Sequence, residues 1–277
     1  MEIALCNEML RPLPFSSQCD LAARLGYDAL ELAPFTLAAE PHRLGGAEVS
    51  DLRRLISDAG LGVAGLHWLL TSPPGLSITS ADAEVRRATI DVLQQLTILC
   101  AELGGKVLVH GSPVQRQIVA GDDPAEARKR AVDMLSQAAD GASAAGVIYC
   151  LEALPETSTN FVNRIAEAAQ IVERVGNPAL RTMIDTCAAV TSESEPLSAL
   201  VEHWVPTGLI GHVHLNDSTR RAPGQGGDEF APVLGALLRS GYSKCVSIEP
   251  FVYEPDGPTC AAQAIGYVRG ILEVLRR

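Results

Sequence analysis

Four side chains in the chain could together carry chemistry: Glu152, Asp185, His214 and Glu249, each standing where an apolar run stops. Three carboxylates and one imidazole make a hard, oxygen-rich donor set. It suits a single divalent ion, Mn²⁺, Mg²⁺ or Co²⁺, with Zn²⁺ as a further candidate and no thiolate to select it. Crowded carboxylates repel one another unless a cation neutralises them, and the ion would leave positions open for a hydroxy-carbonyl compound. His214 belongs to a stretch, Leu209–Gly226, that begins as a strand and breaks into a polar loop punctuated by Pro223, Gly224 and Gly226. Its two imidazoles, His212 and His214, are read as divided between faces: His214 towards the site, His212 one layer deeper or turned outward as support.

Residues so distant in sequence meet only if the fold brings them together. Apolar, β-branched-rich segments recur at intervals of roughly 25 to 40 residues, each followed by a polar turn and a longer segment of helical period, the mark of βα units. Strands are expected at Glu2–Cys6, Ala29–Leu32, Gly62–Leu66, Lys106–Val109, Val147–Leu151, Arg181–Ile184, Ile210–Leu215 and Cys245–Ile248. Helices are expected at Gln18–Leu25, Gly46–Ala59, Asp82–Leu103, Pro124–Ala145, Asn160–Val175, Pro196–Val205, Gly227–Leu238 and Pro258–Leu275. Glycines such as Gly26, Gly146 and Gly176 fall just after a helical stretch, where a left-handed residue ends a helix. Eight alternating pairs without a linker predict one domain over residues 1–277, a single (β/α)8 TIM barrel, ahead of a doubly wound open sheet.

In that architecture sites form at the C-terminal ends of the strands. Those ends read Asn7 and Glu8, Glu31, His67 and Trp68, His110, Glu152, Asp185, His214 with Asp217, and Glu249. Any one of them is ordinary as a helix cap or a solvated side chain. Polar residues in phase at every strand end point to convergence on one mouth.

Composition narrows the function classes. A formal charge of −11 argues against a nucleic-acid groove, which needs clustered Lys and Arg. Although 47% of residues are apolar, no uninterrupted run reaches the roughly 18 to 20 needed to span a bilayer, so no membrane partner is expected. Met1–Cys6 lacks a basic leader segment and the seven cysteines form no CxxC pair, so a reduced, cytoplasmic protein is expected, with neither a disulfide framework nor a zinc knuckle. The apolar Leu69–Leu76 loop is a candidate surface for a homo-oligomer.

Several motifs add to the four donors: Glu156-Thr157-Ser158-Thr159-Asn160-Phe161, Ile184-Asp185-Thr186, His212-Val213-His214-Leu215-Asn216-Asp217, Arg220 with Pro223-Gly224-x-Gly226, and Ile248-Glu249-Pro250-Phe251. In order and spacing they resemble the xylose-isomerase-like sugar phosphate isomerase/epimerase superfamily of TIM barrels, the AP endonuclease family 2 type. That superfamily also holds ketose 3-epimerases, inosose-processing enzymes and endonuclease IV. The resemblance covers essentially the whole chain. It implies that Glu152, Asp185, His214 and Glu249 ligate the metal and that Glu152 and Glu249 are the acid/base pair. It also implies a substrate-binding Arg220, with His67 and His110 lining the pocket. The loop Gly111–Arg116 offers backbone N–H groups, a hydroxyl and Arg116 to an anionic or polyhydroxylated group.

Two departures qualify the resemblance. Ala188 stands where the family has a His three residues after the strand-six Asp, and Ser158 where ketose 3-epimerases carry a substrate-binding Glu, with Glu156 as a stand-in. Both argue against a free-ketose 3-epimerase. The Asp-x-His of endonuclease IV is absent from Pro223–Phe230, against DNA repair. The expectation is a metal-dependent sugar isomerase or epimerase acting through an enediolate on a keto-sugar or polyol-like small molecule. A lyase of the inosose-dehydratase type and a non-catalytic sugar-binding barrel are the alternatives.

Overall fold

The computed structural model describes residues 1–276. Within them eight strands alternate with helices: β1 Ile3–Cys6, α1 Phe15–Leu25, β2 Ala29–Leu32, α2 Gly46–Asp58, β3 Gly62–Leu66, α3 Ala83–Glu102, β4 Val107–His110, α4 Pro124–Ala145 and β5 Ile148–Leu151. The second half continues with α5 Ile165–Val175, β6 Leu180–Asp185, α6 Thr186–Ser192, α7 Leu197–Trp204, β7 Ile210–Leu215, α8 Phe230–Arg239, β8 Val246–Ile248 and α9 Gly257–Leu275. Every neighbouring pair is parallel, and β8 returns to β1 in the register Ala4 to Ser247, closing the (β/α)8 barrel.

The helices form where local chemistry dictates. In α4 the Asp123 side chain accepts from the Ala125 N–H, Pro124 takes the first turn, and Gly146 ends the helix in a left-handed conformation at φ 68°. Its buried face, Ala127, Ala131, Met134, Leu135, Ala138 and Ala142, recurs at helical spacing and lets the helix lie close to the barrel.

Strand residues alternate between two environments. Leu5, Leu30, Leu66, Leu108, Leu151, Ile184, Val213 and Ile248 join one continuous core with the helices, each such burial contributing about 1.5–3 kcal/mol. The other set forms small separate clusters, Ala4 with Ala29 and Ala64, and Val109 with Cys150 and Met183. Above them Glu31, His212 and Ser247 are buried, so the barrel holds a polar layer beneath its mouth.

Three expectations are corrected. The β6–β7 connection carries a second helix, α6, because Asp185 caps it by accepting from the Ala188 N–H at 2.6 Å. The helix expected from Asn160 starts at Ile165, since Asn160 is engaged with Ile118, donating to its carbonyl at 2.9 Å and accepting from its N–H at 2.8 Å. In the Leu69–Leu76 loop, Leu69, Leu70 and Leu76 are buried within the chain's own core, so these side chains are not presented to a partner. Among the described residues no helix is long and apolar enough to cross a membrane.

Candidate active site

β5, β6, β7 and β8 deliver Glu152, Asp185, His214 and Glu249 to one point, their ligand atoms all lying within 4.8 Å of one another. Alternation explains why: Cys150, Met183, His212 and Ser247 lie two residues earlier on the same strands, so all four functional residues enter the barrel. The cluster floors a cavity of about 320 Å³ that Glu152, Asp185 and Glu249 line together with His67, Trp68 and Arg220.

The same alternation overturns the division of His212 and His214 between faces. Residues two apart on a strand share a face, and both imidazoles turn inward onto one carboxylate. Glu31 accepts from Nε2 of His212 at 2.7 Å with one oxygen and from Nε2 of His214 at 3.0 Å with the other. The Nδ1 of His214 is thereby aimed at the mouth, 2.8 Å from Glu249 and 3.9 Å from Asp185. His212 also meets the Ser247 hydroxyl at 3.1 Å, one layer deeper.

Massing charge here perturbs every group. Burial, then the neighbouring Asp185 and Glu249, pushes Glu152 up to about 8; burial and Glu249 push Asp185 up to about 6. Burial opposes a charged His214, yet Glu249 and Glu31 outweigh it and hold its imidazolium well above the ordinary range. Burial would also raise Glu31, but His212 and His214 draw it well below the usual carboxylate value. Carboxyls pushed towards keeping their protons beside a stabilised imidazolium mark a pocket whose crowded negative charge a divalent cation would neutralise. The donor set therefore fits a divalent ion, with Glu31 orienting the His214 imidazole from behind. Cys6, Glu8, His67 and Glu249 form a second grouping of the same size, in which burial and the neighbouring Glu31 and Glu8 raise the Cys6 thiol well above its ordinary value.

Two glycines make room for these carboxylates. A Cβ on Gly111 would lie 1.9 Å from Oε2 of Glu152, so the carboxylate rests directly on that backbone. A Cβ on Gly226 would lie 2.0 Å from Oδ1 of Asp217, whose other oxygen accepts from the Asp228 N–H at 2.8 Å. Asp217 thus ties together the loop that carries Arg220.

Arg220 adopts φ 66°, held there by its N–H on the Asp217 carbonyl at 2.7 Å and by Phe251 and Val252 donating to its own carbonyl. Its guanidinium lies 4.9 Å from the centre of the Phe251 ring, which also meets Trp68 edge to face. Trp68 is itself at φ 54°, so two of the three left-handed non-glycine residues among those described roof the cavity. His67 lines the cavity, donating from Nε2 to Glu8 at 2.8 Å, and this partner outweighs burial to push the imidazole up to about 9.

His110 and Arg116 are placed elsewhere. Val109 faces the cavity, so His110 turns to the helix side, where Nδ1 meets the Tyr149 hydroxyl at 2.6 Å. Burial and Arg116 lower its pKa to about 3. Arg116 is wholly buried and donates to the Glu152 carbonyl at 2.5 Å, bracing the end of β5 from outside the cavity. Neither lines the cavity, which corrects the expectation that they bind substrate there. Ser158 and Ala188 do line it, whereas Glu156 lies in an adjoining groove.

Glu8, Glu31 and Asn216 were not assigned roles from the sequence. Asn216 donates to Asp185 at 2.7 Å and to the Glu249 carbonyl at 3.1 Å, while its side-chain Oδ1 accepts from the Cys187 N–H at 2.8 Å. It thereby holds two of the four donors. The signal for Glu31 was present, a carboxylate inside a short apolar strand, but its partners lie on β7.

A family model described as a xylose isomerase-like TIM barrel matches residues 19–271. The L-ribulose 3-epimerase of Mesorhizobium japonicum is 29% identical over 211 residues, covering 75% of this chain and 68% of the epimerase. The D-psicose 3-epimerase of Agrobacterium fabrum is 28% identical over 252 residues, covering 86% of this chain and 80% of its own. Among solved structures, that of an L-ribulose 3-epimerase superposes with a TM-score of 0.84 at 24% identity, over 100% of this chain and 96% of its own.

Proposed function

Because the chain belongs to the xylose isomerase-like TIM barrel family, we propose that it is a divalent-metal-dependent sugar epimerase or isomerase acting on a keto-sugar. The observation that carries the reading is the convergence of Glu152, Asp185, His214 and Glu249 within 4.8 Å at the floor of a cavity. The names of its relatives, 3-epimerases of L-ribulose and D-psicose, favour a ketose and inversion at one carbon.

These four residues would hold the ion, which when bound draws electron density from the substrate's carbonyl and neighbouring hydroxyl and so acidifies the C–H between them. Glu152 and Glu249 reach the same space from β5 and β8. One carboxylate takes the proton from the carbon beside the carbonyl, leaving an enediolate. If the other returns a proton to the opposite face of that carbon, the outcome is epimerisation; if the proton goes to the adjacent carbon, it is isomerisation. Arg220, locked by its backbone and stacked on Phe251, presents its remaining donors to substrate oxygens. Trp68 and Phe251 exclude water from the reacting carbon, and His67 lines the pocket beside Glu249.

The test is to load the protein in turn with Mn²⁺, Mg²⁺, Co²⁺ and Zn²⁺ and incubate it with a sugar panel in heavy water. Deuterium should enter one carbon of a keto-sugar, and Glu152→Gln and Glu249→Gln should each lower that exchange by roughly 10²–10⁴-fold. Absence of exchange with every sugar and ion, or unchanged exchange in Glu152→Gln, would overturn the reading. A product lighter by one water would assign a lyase instead.

A further inference from the structure

The cavity over the four donors adjoins a second space beside α6. Towards that helix its wall consists of Cys187, Ala188 and Thr191, and towards the facing β5–α5 segment of Leu154, Pro155, Thr157 and Ser158. Apart from Leu154 these side chains are short. Beyond them lies a groove of about 290 Å³, and Pro155, Thr157 and Thr191 line both spaces. Ala188 also borders a small pocket behind it, which Asn163 and Ser192 share with the groove. Pro155, Thr157 and Thr191 form the partition that the two spaces share, and a larger side chain at 157 or 191 would thicken it.

The groove differs in character from the cavity. Glu156, Thr157, Asn163, Arg164, Thr191 and Ser192 line it, a mixture of hydroxyls, an amide and one charge of each sign. The Ser192 hydroxyl is buried without a partner, the only such group among the groove's described residues. Arg164 is held across the groove by the Ser192 carbonyl and lies 3.5 Å from Glu193, so it is positioned yet half exposed. Such a lining offers donors and acceptors in balance and no net charge, which suits a neutral, polyhydroxylated group better than a phosphate or an acyl chain.

We infer that the substrate is a glycoside: the reacting keto-sugar unit sits over Glu152 and Glu249, and a second sugar unit passes between Ala188–Thr191 and Pro155–Thr157 into the groove. This rests on the proposed epimerase or isomerase reading and adds the substrate class. Binding of the second unit would use groove contacts to position the first, so a single keto-sugar should be a weaker substrate.

The experiment compares D-fructose with isomaltulose and leucrose, in which the same ketose carries a glucosyl unit away from its carbonyl end, by deuterium uptake in heavy water with Mn²⁺ present. Exchange into at least one disaccharide should exceed that into D-fructose by tenfold or more in kcat/KM. Thr191→Trp and, from the opposite wall, Thr157→Trp should each lower the disaccharide-to-monosaccharide ratio at least tenfold. Thr191→Ser should keep it. Exchange with D-fructose equal to or better than with both disaccharides, or a ratio unmoved by both Trp variants, overturns the glycoside while leaving the epimerase reading intact. No exchange with any of the three sugars, nor with the wider panel, overturns both.

Discussion

Oε1 of Glu31 lies 3.0 Å from Nε2 of His214, so a carboxylate on β2 decides which nitrogen of an imidazole on β7 faces the mouth. The other Glu31 oxygen is occupied by His212 at 2.7 Å. In Glu31→Gln one oxygen becomes an N–H donor facing another N–H, so one imidazole must turn or shift its proton to the other ring nitrogen. Mn²⁺ affinity is expected to fall roughly 10- to 100-fold, read by titration calorimetry on protein whose melting confirms the fold. Wild-type affinity in this variant would sink the assignment of Glu31 as the group that orients His214.

The pH dependence follows from the raised carboxyls. Burial and their carboxylate neighbours push Glu152 up to about 8 and Asp185 up to about 6, both above the ordinary carboxylate range that an unfolded chain would show. An acid whose pKa is raised on folding stabilises the fold while protonated, at low pH, and that stability is lost as pH rises through its folded value. The melting temperature of chelator-treated protein should therefore fall from about pH 5 to about pH 9, and Mn²⁺ should flatten the decline. Binding should tighten and release protons over the same interval, visible as a dependence of the calorimetric heat on the buffer's ionisation enthalpy. A cation-induced gain in melting temperature that is the same at every pH would contradict the assignment.

Gly111 supports Glu152 by having no side chain. In Gly111→Ala the new methyl would occupy the place of Oε2, 1.9 Å away, and the carboxylate must swing aside. A displacement of that size costs on the order of 10²-fold in rate when the displaced group carries the proton. The expected result is a drop in kcat for isotope exchange of that order, with substrate KM changed less than kcat. A variant with wild-type kcat would show that the Glu152 carboxylate need not rest there.

Arg220 combines a strained backbone with a placed side chain. Its φ of 66° carries a penalty of about 1 kcal/mol or more for a non-glycine residue, which Arg220→Gly would relieve. That variant should melt at or slightly above the wild-type temperature while its KM for the sugar rises at least tenfold, roughly 1.4 kcal/mol of lost binding. Higher stability with unchanged KM would remove Arg220 from substrate binding.

Much of the barrel was legible because its signals are local. The run Ala29–Leu32, the capped segment from Pro124 to Ala145 and the strand Ile210–Leu215 each coincide with the observed element, since apolar period and end-capping act within a few residues. The four donors were legible for a related reason: each directly follows an apolar residue that packs outward against the helices, Leu151, Ile184, Val213 or Ile248. His110 shows the limit of that rule. It also ends a strand, but Val109 takes the inward position, and only the registry of β4 with β5 shows His110 beside Tyr149.

Sequence alone thus determined the order of the βα units, the single barrel and the identity of Glu152, Asp185, His214 and Glu249 as the residues to watch. Tertiary structure decided which groups surround them: Glu31 behind His214 across a separation of 183 residues, Gly111 beneath Glu152, and the helix that starts on Asp185 and brings Ala188 and Thr191 to the cavity wall. The physical reason is one of range. Periodicity and caps are written in neighbouring residues, whereas barrel closure sets strand registry and lateral spacing, and these place one buried carboxylate within hydrogen-bond reach of two imidazoles.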